Sequence, residues 1–318
     1  MTMQKRRLGN SGLEVSSLCL GGNVFGWTAD EPASFTVLDA FVAAGMNFID
    51  TADVYAKWAP GNKGGESETV LGRWMKQRRN RDKVILATKV GSDMGAAGKG
   101  LSRAYITRAV EASLTRLQTD YIDLYQSHVD DADTPLEETL GVYADLVAQG
   151  KVRAIGASNY RAERLSEALA VSQRHGYPRY ESLQPLYNLH DRADYEAALE
   201  PLCRSAGIGV ISYSSLASGF FTGKYRTEAD LSKSPRGQGV KRRFFNDRGF
   251  AILAAFDEVA QQHRSTPAAV ALAWLIARPG MTAPIASATT VDQLGELIAA
   301  TRLELSAASI ERLNRASA

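Results

Sequence analysis

The sequence contains only two cysteines, Cys19 and Cys203, among 318 residues. Two thiols are too few for a disulfide framework or a four-thiolate zinc site, so a reducing compartment is expected. No window approaches the ~20 consecutive apolar residues of a membrane span. The basic N-terminus also lacks the apolar run of a signal peptide. We therefore expect a cytoplasmic protein with no membrane segment.

An excess of one charge sign is also missing, because 37 basic residues oppose 35 acidic ones and leave a net charge of +2. Such a chain has no general attraction to nucleic acid or anionic lipid, so any anion it binds must be held by local groups. The 45% hydrophobic content over 318 residues is enough for a large core. That size fits two average domains or one large α/β barrel.

Eight short apolar runs alternate with stretches of helical spacing, which predicts eight strands and a parallel sheet. The runs are VSSLCLGG from Val15, MNFID from Met46, KVILATKV from Lys83, YIDLYQSHV from Tyr121, VRAIGASN from Val152, YESLQPL from Tyr180, IGVISYSSL from Ile208 and APIASATT from Ala283. Eight such units in one chain favour a closed (β/α)8 TIM barrel. A doubly wound sheet is disfavoured, since no GxGxxG follows the first strand and GGNVFG has the wrong spacing.

Two further segments complete this single domain, residues 1–318. RRLGNSGLEVSSL has two short runs around Asn10, Ser11 and Gly12, which predicts an N-terminal β-hairpin that closes the bottom of the barrel. Residues 217–282 form a long insert between strands seven and eight. The insert holds a basic loop, KSPRGQGVKRR, and two helical patterns. Long loops of this kind usually serve function.

Four polar residues follow or interrupt the ends of predicted strands two, three and four, where the active site of such a barrel gathers. They are Asp50, Tyr55, Lys89 and His128. Each has a structural alternative when taken alone. Asp50 can cap a loop, Tyr55 and His128 can be satisfied core residues, and Lys89 can lie on the rim.

Taken together, the four residues predict a proton donor and an electrophilic clamp. A phenol has a pKa near ~10, so it needs a neighbouring cation to act near neutral pH. Lys89 supplies that cation, Asp50 keeps the lysine charged, and His128 donates a hydrogen bond to a carbonyl oxygen. The set suits reduction of a carbonyl.

At this point the sequence resembles the aldo-keto reductases, including the branch that contains the β subunits of voltage-gated potassium channels. The motifs that carry the resemblance are RRLGNSGLEVSSLCLGG, FIDTADVY, ATKVG, QSHVDD and PIASATTVDQLGEL. The resemblance implies a catalytic tetrad of Tyr55 as general acid, Lys89 and Asp50 as its tuning pair, and His128 as the carbonyl clamp. It also implies a nicotinamide cofactor across the barrel mouth.

The resemblance further assigns twelve residues to that cofactor, in four groups along the chain. The groups are the carboxamide binders Ser158, Asn159 and Gln184, the ring-stacking Tyr213 with Ser214 and Leu216, the phosphate ligands Lys224 and Arg236, and the adenosine-end residues Ser287, Thr289, Gln293 and Glu296. From the residues alone, the basic loop equally fits a solvated face or a nucleic-acid patch, although the near-neutral chain argues against nucleic acid.

The adenosine-end motif departs from the family pattern in two places, at Ser287 and Leu297, and it has no Arg or Lys. NADPH is the expected cofactor, with charge supplied by Lys224 and Arg236, and NADH is the alternative. No catalytic metal is expected, because His175, His190 and His263 lack ligand spacing.

Four aromatic residues on predicted loops are expected to line the substrate pocket at the barrel mouth. These are Phe25, Trp27, Trp58 and Phe220. The alternative is ordinary packing under the loops. If they do line the pocket, they favour an apolar or ring-bearing carbonyl substrate.

The sequence thus predicts an NAD(P)H-dependent reductase of aldehydes or ketones, with the reverse oxidation open to the same residues. One alternative is a redox-sensing regulatory subunit that binds the cofactor with little turnover. Another is a lyase or isomerase without nicotinamide.

Overall fold

The apolar runs form one parallel sheet and a small hairpin in the computed structural model, which describes residues 5–318. The hairpin strands are β1 (Lys5–Arg7) and β2 (Glu14–Ser16), and the barrel strands are β3 (Cys19–Gly21), β4 (Phe48–Asp50), β5 (Ile85–Val90), β6 (Ile122–Ser127), β7 (Val152–Ser158), β8 (Tyr180–Gln184), β9 (Gly209–Val210) and β10 (Ile285–Ala286). Adjacent barrel strands pair in chain order, and β10 pairs with β3. The predicted eight strands are confirmed.

The barrel closes between its last two strands through irregular backbone. Thr282 N donates to Val210 O at 2.8 Å, and Ile285 N donates to Ser212 O at 2.8 Å. β9 and β10 have only two residues each, shorter than their apolar runs. The (β/α)8 fold is therefore confirmed. The proposed single domain also includes residues 1–4, which lie outside the described residues.

The N-terminal hairpin has the predicted place at the bottom of the barrel. β1 and β2 pair antiparallel with Arg6 opposite Val15. Val15 and its neighbours Leu8 and Leu13 are buried in one cluster with residues that point into the barrel from the strands. Gly9 turns the chain here with φ +55°, and a Cβ at this position would lie 2.2 Å from Glu181 O. Only glycine fits such a close approach with a positive φ.

Helices surround the sheet. They are α1 (Glu31–Ala43), α2 (Glu66–Arg78), α3 (Arg103–Leu117), α4 (Leu136–Ala148), α5 (Ala162–His175), α6 (Glu200–Ala206), α7 (Gly237–Phe244), α8 (Asp247–Gln262), α9 (Pro267–Ile276), α10 (Val291–Ala299) and α11 (Ala307–Ala316). Some of them, such as α8 and α11, pack mainly on other helices. Ser102 caps α3 by accepting from Tyr105 N at 3.4 Å. Such a cap contributes about 1 kcal/mol to helix stability.

The insert between β9 and β10 is more helical than the sequence predicts. α7 occupies most of the segment that was predicted as a basic loop. The helix begins at Gly237, in close contact with the backbone of Leu231. A Cβ at position 237 would lie 1.9 Å from the carbonyl oxygen of Leu231, so glycine permits the helix to begin here. α7 then buries Phe244 against Phe220, with ring centroids 5.6 Å apart. The aromatic cluster anchors the insert to the barrel.

Within residues 5–318, no helix is both long enough and apolar enough to cross a bilayer.

Candidate active site

A cleft of about 1330 Å³ opens at the carboxyl ends of the barrel strands. Three of the four predicted catalytic side chains, Asp50, Tyr55 and His128, line it, and Lys89 lies directly behind Asp50. All twelve residues assigned to the cofactor line the same cleft: Ser158, Asn159, Gln184, Tyr213, Ser214, Leu216, Lys224, Arg236, Ser287, Thr289, Gln293 and Glu296. The fold brings together side chains from the insert and from the carboxyl ends of seven barrel strands, β4 to β10, or the loops that directly follow them.

The buried ion pair of Asp50 and Lys89 forms the floor of the cleft. Lys89 Nζ donates to Asp50 Oδ2 at 2.6 Å and to Thr51 O at 2.7 Å, and both charged side chains are almost fully excluded from solvent. Burial acts to lower the pKa of Lys89, but Asp50 and Tyr55 outweigh it and raise the pKa above its ordinary value. The lysine therefore stays charged at neutral pH.

The hydroxyl of Tyr55 lies next to this pair. It donates to Asp50 Oδ2 at 3.4 Å, and Lys89 Nζ is 4.6 Å from the centre of the Tyr55 ring. Burial raises the pKa of Tyr55 to about 12, although the charge of Lys89 acts in the opposite direction. The sequence predicted the effect of the lysine but not the larger effect of burial. Tyr55 is therefore a protonated phenol across the neutral range.

His128 faces the same space, with its ring 6.0 Å from that of Tyr55. Burial, and to a lesser extent Lys89, lowers the pKa of His128 to about 3. The imidazole is therefore neutral at pH 7. Its Nδ1 is buried without a hydrogen-bond partner among the described residues. A neutral imidazole has one N–H to donate and cannot act as a strong acid.

An amide and hydroxyl network lines the wall next to His128. Ser158 Oγ donates to Gln184 O at 2.9 Å, and Asn159 Nδ2 donates to Ser158 Oγ and to His128 O. Tyr213 OH donates to Asn159 Oδ1 at 2.7 Å, which fixes the aromatic ring at the end of β9. Asn159 has a φ of +58°, a conformation that asparagine adopts more readily than most residues. This wall offers donors and acceptors of the kind a carboxamide requires.

The insert side of the cleft is cationic. Lys224, Arg236 and Arg242 line it, and none of them has a carboxylate within ion-pair distance among residues 5–318. Arg236 lies 5.1 Å from the ring centre of Trp27, and burial lowers the pKa of its guanidinium. Unpaired cations in one cleft favour an anionic ligand group.

The opposite side of the cleft is polar and neutral apart from Glu296. Ser287 Oγ donates to Asn23 Oδ1 at 2.6 Å. Thr289 donates to Gln293 Oε1 from both its N, at 2.9 Å, and its Oγ1. The side chain of Gln293, in the first turn of α10, therefore holds the loop after β10.

The predicted substrate aromatics divide into two pairs. Trp27 and Trp58 line the cleft with ring centroids 5.7 Å apart, and Trp58 is 47% exposed. The expectation that Phe25 and Phe220 line the pocket is wrong. Both are fully buried in the core, and the ring of Phe220 stacks against Phe244 of the insert helix α7.

Sequence reasoning missed several residues of the cleft and its floor. Asn23, Lys233, Gln238, Arg242 and Arg243 also line the cleft. Arg242 and Arg243 belong to the basic run KRR. The sequence showed that this run is positively charged, but not that its side chains face the cleft. Gln126, a polar residue within the apolar strand β6, donates from Nε2 to Asp50 Oδ1 at 3.2 Å.

A second buried acid, Asp53, lies two residues before Tyr55. It is 2% exposed, and neither of its carboxyl oxygens has a hydrogen-bond partner within the described chain. Burial, assisted by Glu68, raises the pKa of Asp53 to about 8. Glu68 itself is satisfied by Arg116 at 2.7 Å and by Thr88 at 2.6 Å. Asp53 is therefore mostly protonated at pH 7.

Comparison with known proteins relates the chain to one family over almost its full length. The model of the Aldo/keto reductase family matches residues 17–318. The chain is 35% identical to "Uncharacterized oxidoreductase YrpG" of Bacillus subtilis, over 98% of this chain and 95% of that protein. It is 34% identical to "Protein tas" of Escherichia coli, over 96% and 94%. It is 32% identical to "Probable voltage-gated potassium channel subunit beta" of Arabidopsis thaliana, over 92% and 90%.

The substitution Asp53→Asn is expected to flatten the pH dependence of stability. An unfolded Asp ionises near ~4, whereas the folded Asp53 does so near 8. The wild type therefore loses stability as pH rises from about 4 to about 8, at about 1.4 kcal/mol per pH unit and thus by up to about 5 kcal/mol in total. Urea unfolding at pH 5 and pH 8.5 measures this loss. The variant Asp120→Asn, at an exposed position, is the control. If the free energy of unfolding of Asp53→Asn changes with pH as steeply as that of the wild type, Asp53 does not have the raised pKa.

Proposed function

The chain belongs to the aldo/keto reductase family, and from this premise we propose that it uses NAD(P)H to reduce an aldehyde or ketone reversibly to an alcohol. The observation that carries the proposal is the meeting of Tyr55, Lys89, Asp50 and His128 at one end of a single cleft. The other walls of that cleft have the polar and cationic groups that a dinucleotide needs. The cofactor, when bound, supplies the hydride.

In this proposal Tyr55 gives its hydroxyl proton to the carbonyl oxygen of the substrate as general acid. The phenol is fully protonated at pH 7, so the acid form is always available. Lys89 lowers the free energy of the phenolate that remains, because its charge lies 4.6 Å from the ring. Asp50 keeps that charge in a site where an isolated lysine tends to lose its proton.

His128 is proposed to orient the carbonyl. As a neutral imidazole it donates one hydrogen bond without competing with Tyr55 as an acid. In the reverse direction the same groups hold an alcohol, and the Tyr55 oxygen accepts its proton.

The cofactor residues fit a nicotinamide dinucleotide by the chemistry of their donor set. Ser158, Asn159 and Gln184 would hold the carboxamide, and Tyr213 would lie against the ring. Lys224 and Arg236 would meet phosphates, since both line the cleft and, like Arg242, have no carboxylate partner among the described residues. These unpaired charges favour NADPH, with its additional phosphate, over NADH.

The exposed Trp58 contacts Tyr55 and the half-buried Trp27, and this aromatic pair supports an apolar or aromatic carbonyl substrate. The cysteines Cys19 and Cys203 are free and buried, which is compatible with a reducing cytoplasmic location.

A redox-sensing regulatory subunit remains the second proposal. It rests on the similarity to the Arabidopsis protein named as a channel subunit. Tight cofactor binding with negligible turnover would favour it.

Replacement of Tyr55 by Phe is expected to lower kcat by about 10²-fold or more with little change in the Kd of the cofactor, because only the transferred proton is removed. Oxidation of NADPH with a panel of aromatic and aliphatic aldehydes measures kcat, and fluorescence titration measures Kd. Tyr177→Phe, at a half-buried tyrosine outside the cleft, is the control. Wild-type turnover in Tyr55→Phe would remove this residue from its proposed role.

The variants Lys224→Ala and Arg236→Ala are expected to weaken NADPH binding by about tenfold or more each, the loss of a charge-assisted hydrogen bond. NADH binding should change less, because it lacks one phosphate. The control is Lys233→Ala, since Lys233 lines the cleft but already pairs with Asp230 at 2.6 Å. Equal losses for NADPH and NADH would argue against the proposed preference.

A further inference from the structure

The Asp50 carboxylate has donors on both of its oxygens. Oδ2 accepts from Lys89 at 2.6 Å and from Tyr55 at 3.4 Å. Oδ1 accepts from Gln184 Nε2 at 2.9 Å and from Gln126 Nε2 at 3.2 Å. The catalytic role proposed for Tyr55 involves only Oδ2, which accepts from both Tyr55 and Lys89. Oδ1 accepts from the side-chain amides of Gln184 and Gln126, and Gln126 does not line the cleft.

Gln126 occupies its position because the neighbouring strands leave room for it. It pairs in register with Lys89 on β5 and with Gly156 on β7. A Cβ at Gly156 would lie 3.1 Å from Gln126 Cγ and 2.3 Å from Ser182 Oγ, so a glycine here accommodates the amide. The side chain is completely buried. A buried amide is costly unless it makes hydrogen bonds, which it does here to Asp50.

The orientation of both amides follows from the acceptor they share. An ionised carboxylate only accepts, so the NH₂ groups of Gln126 and Gln184 must face Asp50. Gln126 Oε1 then accepts from Gln184 Nε2 at 3.3 Å. Gln184 Oε1 has no hydrogen-bond partner among the described residues and belongs to a side chain that lines the cleft. Gln184 therefore connects the cofactor side of the cleft to Asp50, whereas Gln126 contacts Asp50 from behind.

We propose that Gln126 is a positioning residue for the proton donor, holding Asp50 Oδ1 so that Oδ2 remains shared between Lys89 and Tyr55. This inference rests on the proposed carbonyl reduction. Two neutral donors on Oδ1 withdraw charge from the carboxylate and prevent its rotation. Without Gln126, the carboxylate attracts the Tyr55 proton more strongly, which makes Tyr55 a weaker acid. Gln126 also remains a donor to Asp50 when Gln184 engages the cofactor.

The variant Gln126→Met removes the amide and keeps a similar volume. In alcohol oxidation, where Tyr55 must accept a proton, the rise of kcat with pH is expected to shift upward by about one pH unit. The value of kcat at pH 7 is expected to fall about tenfold. The Kd of NADP⁺ should stay within about twofold of the wild type. Ser182→Ala is the matched control, because Ser182 Oγ is buried beside the same glycine and has no partner within the described residues. A wild-type pH profile and kcat in Gln126→Met overturn the proposal.

A second variant, Gln126→Glu, tests the same idea with a side chain of the same shape. Its carboxyl donates to Asp50 only when protonated, so turnover should approach the wild type at low pH and fall below that of Gln126→Met at pH 8. If Gln126 only fills space in the core, turnover of Gln126→Glu relative to the wild type should not depend on pH. A relative turnover that is independent of pH would therefore count against the proposal.

A readout without cofactor or turnover separates this inference from the proposed function. The urea midpoint of the unliganded protein is measured for Gln126→Met, Asp50→Asn and the double variant. Coupling between the two positions supports the contact, and additive changes overturn it. If the wild type binds cofactor but turns over no substrate, the proposed function fails. The double-mutant cycle of urea midpoints then decides by itself whether Gln126 and Asp50 are coupled.

Discussion

The buried ion pair between Asp50 and Lys89 is the interaction on which the candidate active site depends. Each charge alone would be expelled from the interior of a barrel or neutralised there, and removal of one partner typically costs about 3–5 kcal/mol. The closed sheet makes the pair possible, because β4 and β5 are adjacent and bring Asp50 and Lys89 within 2.6 Å. The Thr51 carbonyl satisfies a second donor of the ammonium group.

Burial and the charge of this ion pair together determine the protonation states of Tyr55 and His128. Burial raises the pKa of Tyr55, and the Lys89 charge partly offsets the rise. The same charge adds to the burial that lowers the pKa of His128. The result is a protonated phenol and a neutral imidazole facing one space, which suits proton donation by the first and hydrogen bonding by the second. Of the two Asp50 oxygens, Oδ2 accepts hydrogen bonds from Lys89 and Tyr55, and Oδ1 accepts hydrogen bonds from Gln184 and Gln126.

Much of the barrel and most of the cleft could be predicted from the sequence, since β/α alternation fixes which strand ends meet. FIDTADVY identified the end of β4 and the loop that carries Tyr55. Phe25 and Phe220 were misassigned, because whether an aromatic residue on a loop faces a cleft or the core depends on what covers it. Gln126 escaped notice since a single amide in an apolar strand reveals its partner only when the sheet closes. The balance of burial and charge at Tyr55 likewise depends on the three-dimensional surroundings.

The transfer of deuterium to an aromatic aldehyde from NADPH that has two deuterium atoms at C4 tests the central claim most directly, measured by mass spectrometry in the wild type and in Lys89→Met. The account predicts one deuterium at the carbinol carbon of the alcohol formed by the wild type. In Lys89→Met it predicts NADPH binding but label transfer slower by about 10²-fold or more. Equal rates of label transfer in the two proteins would contradict the account.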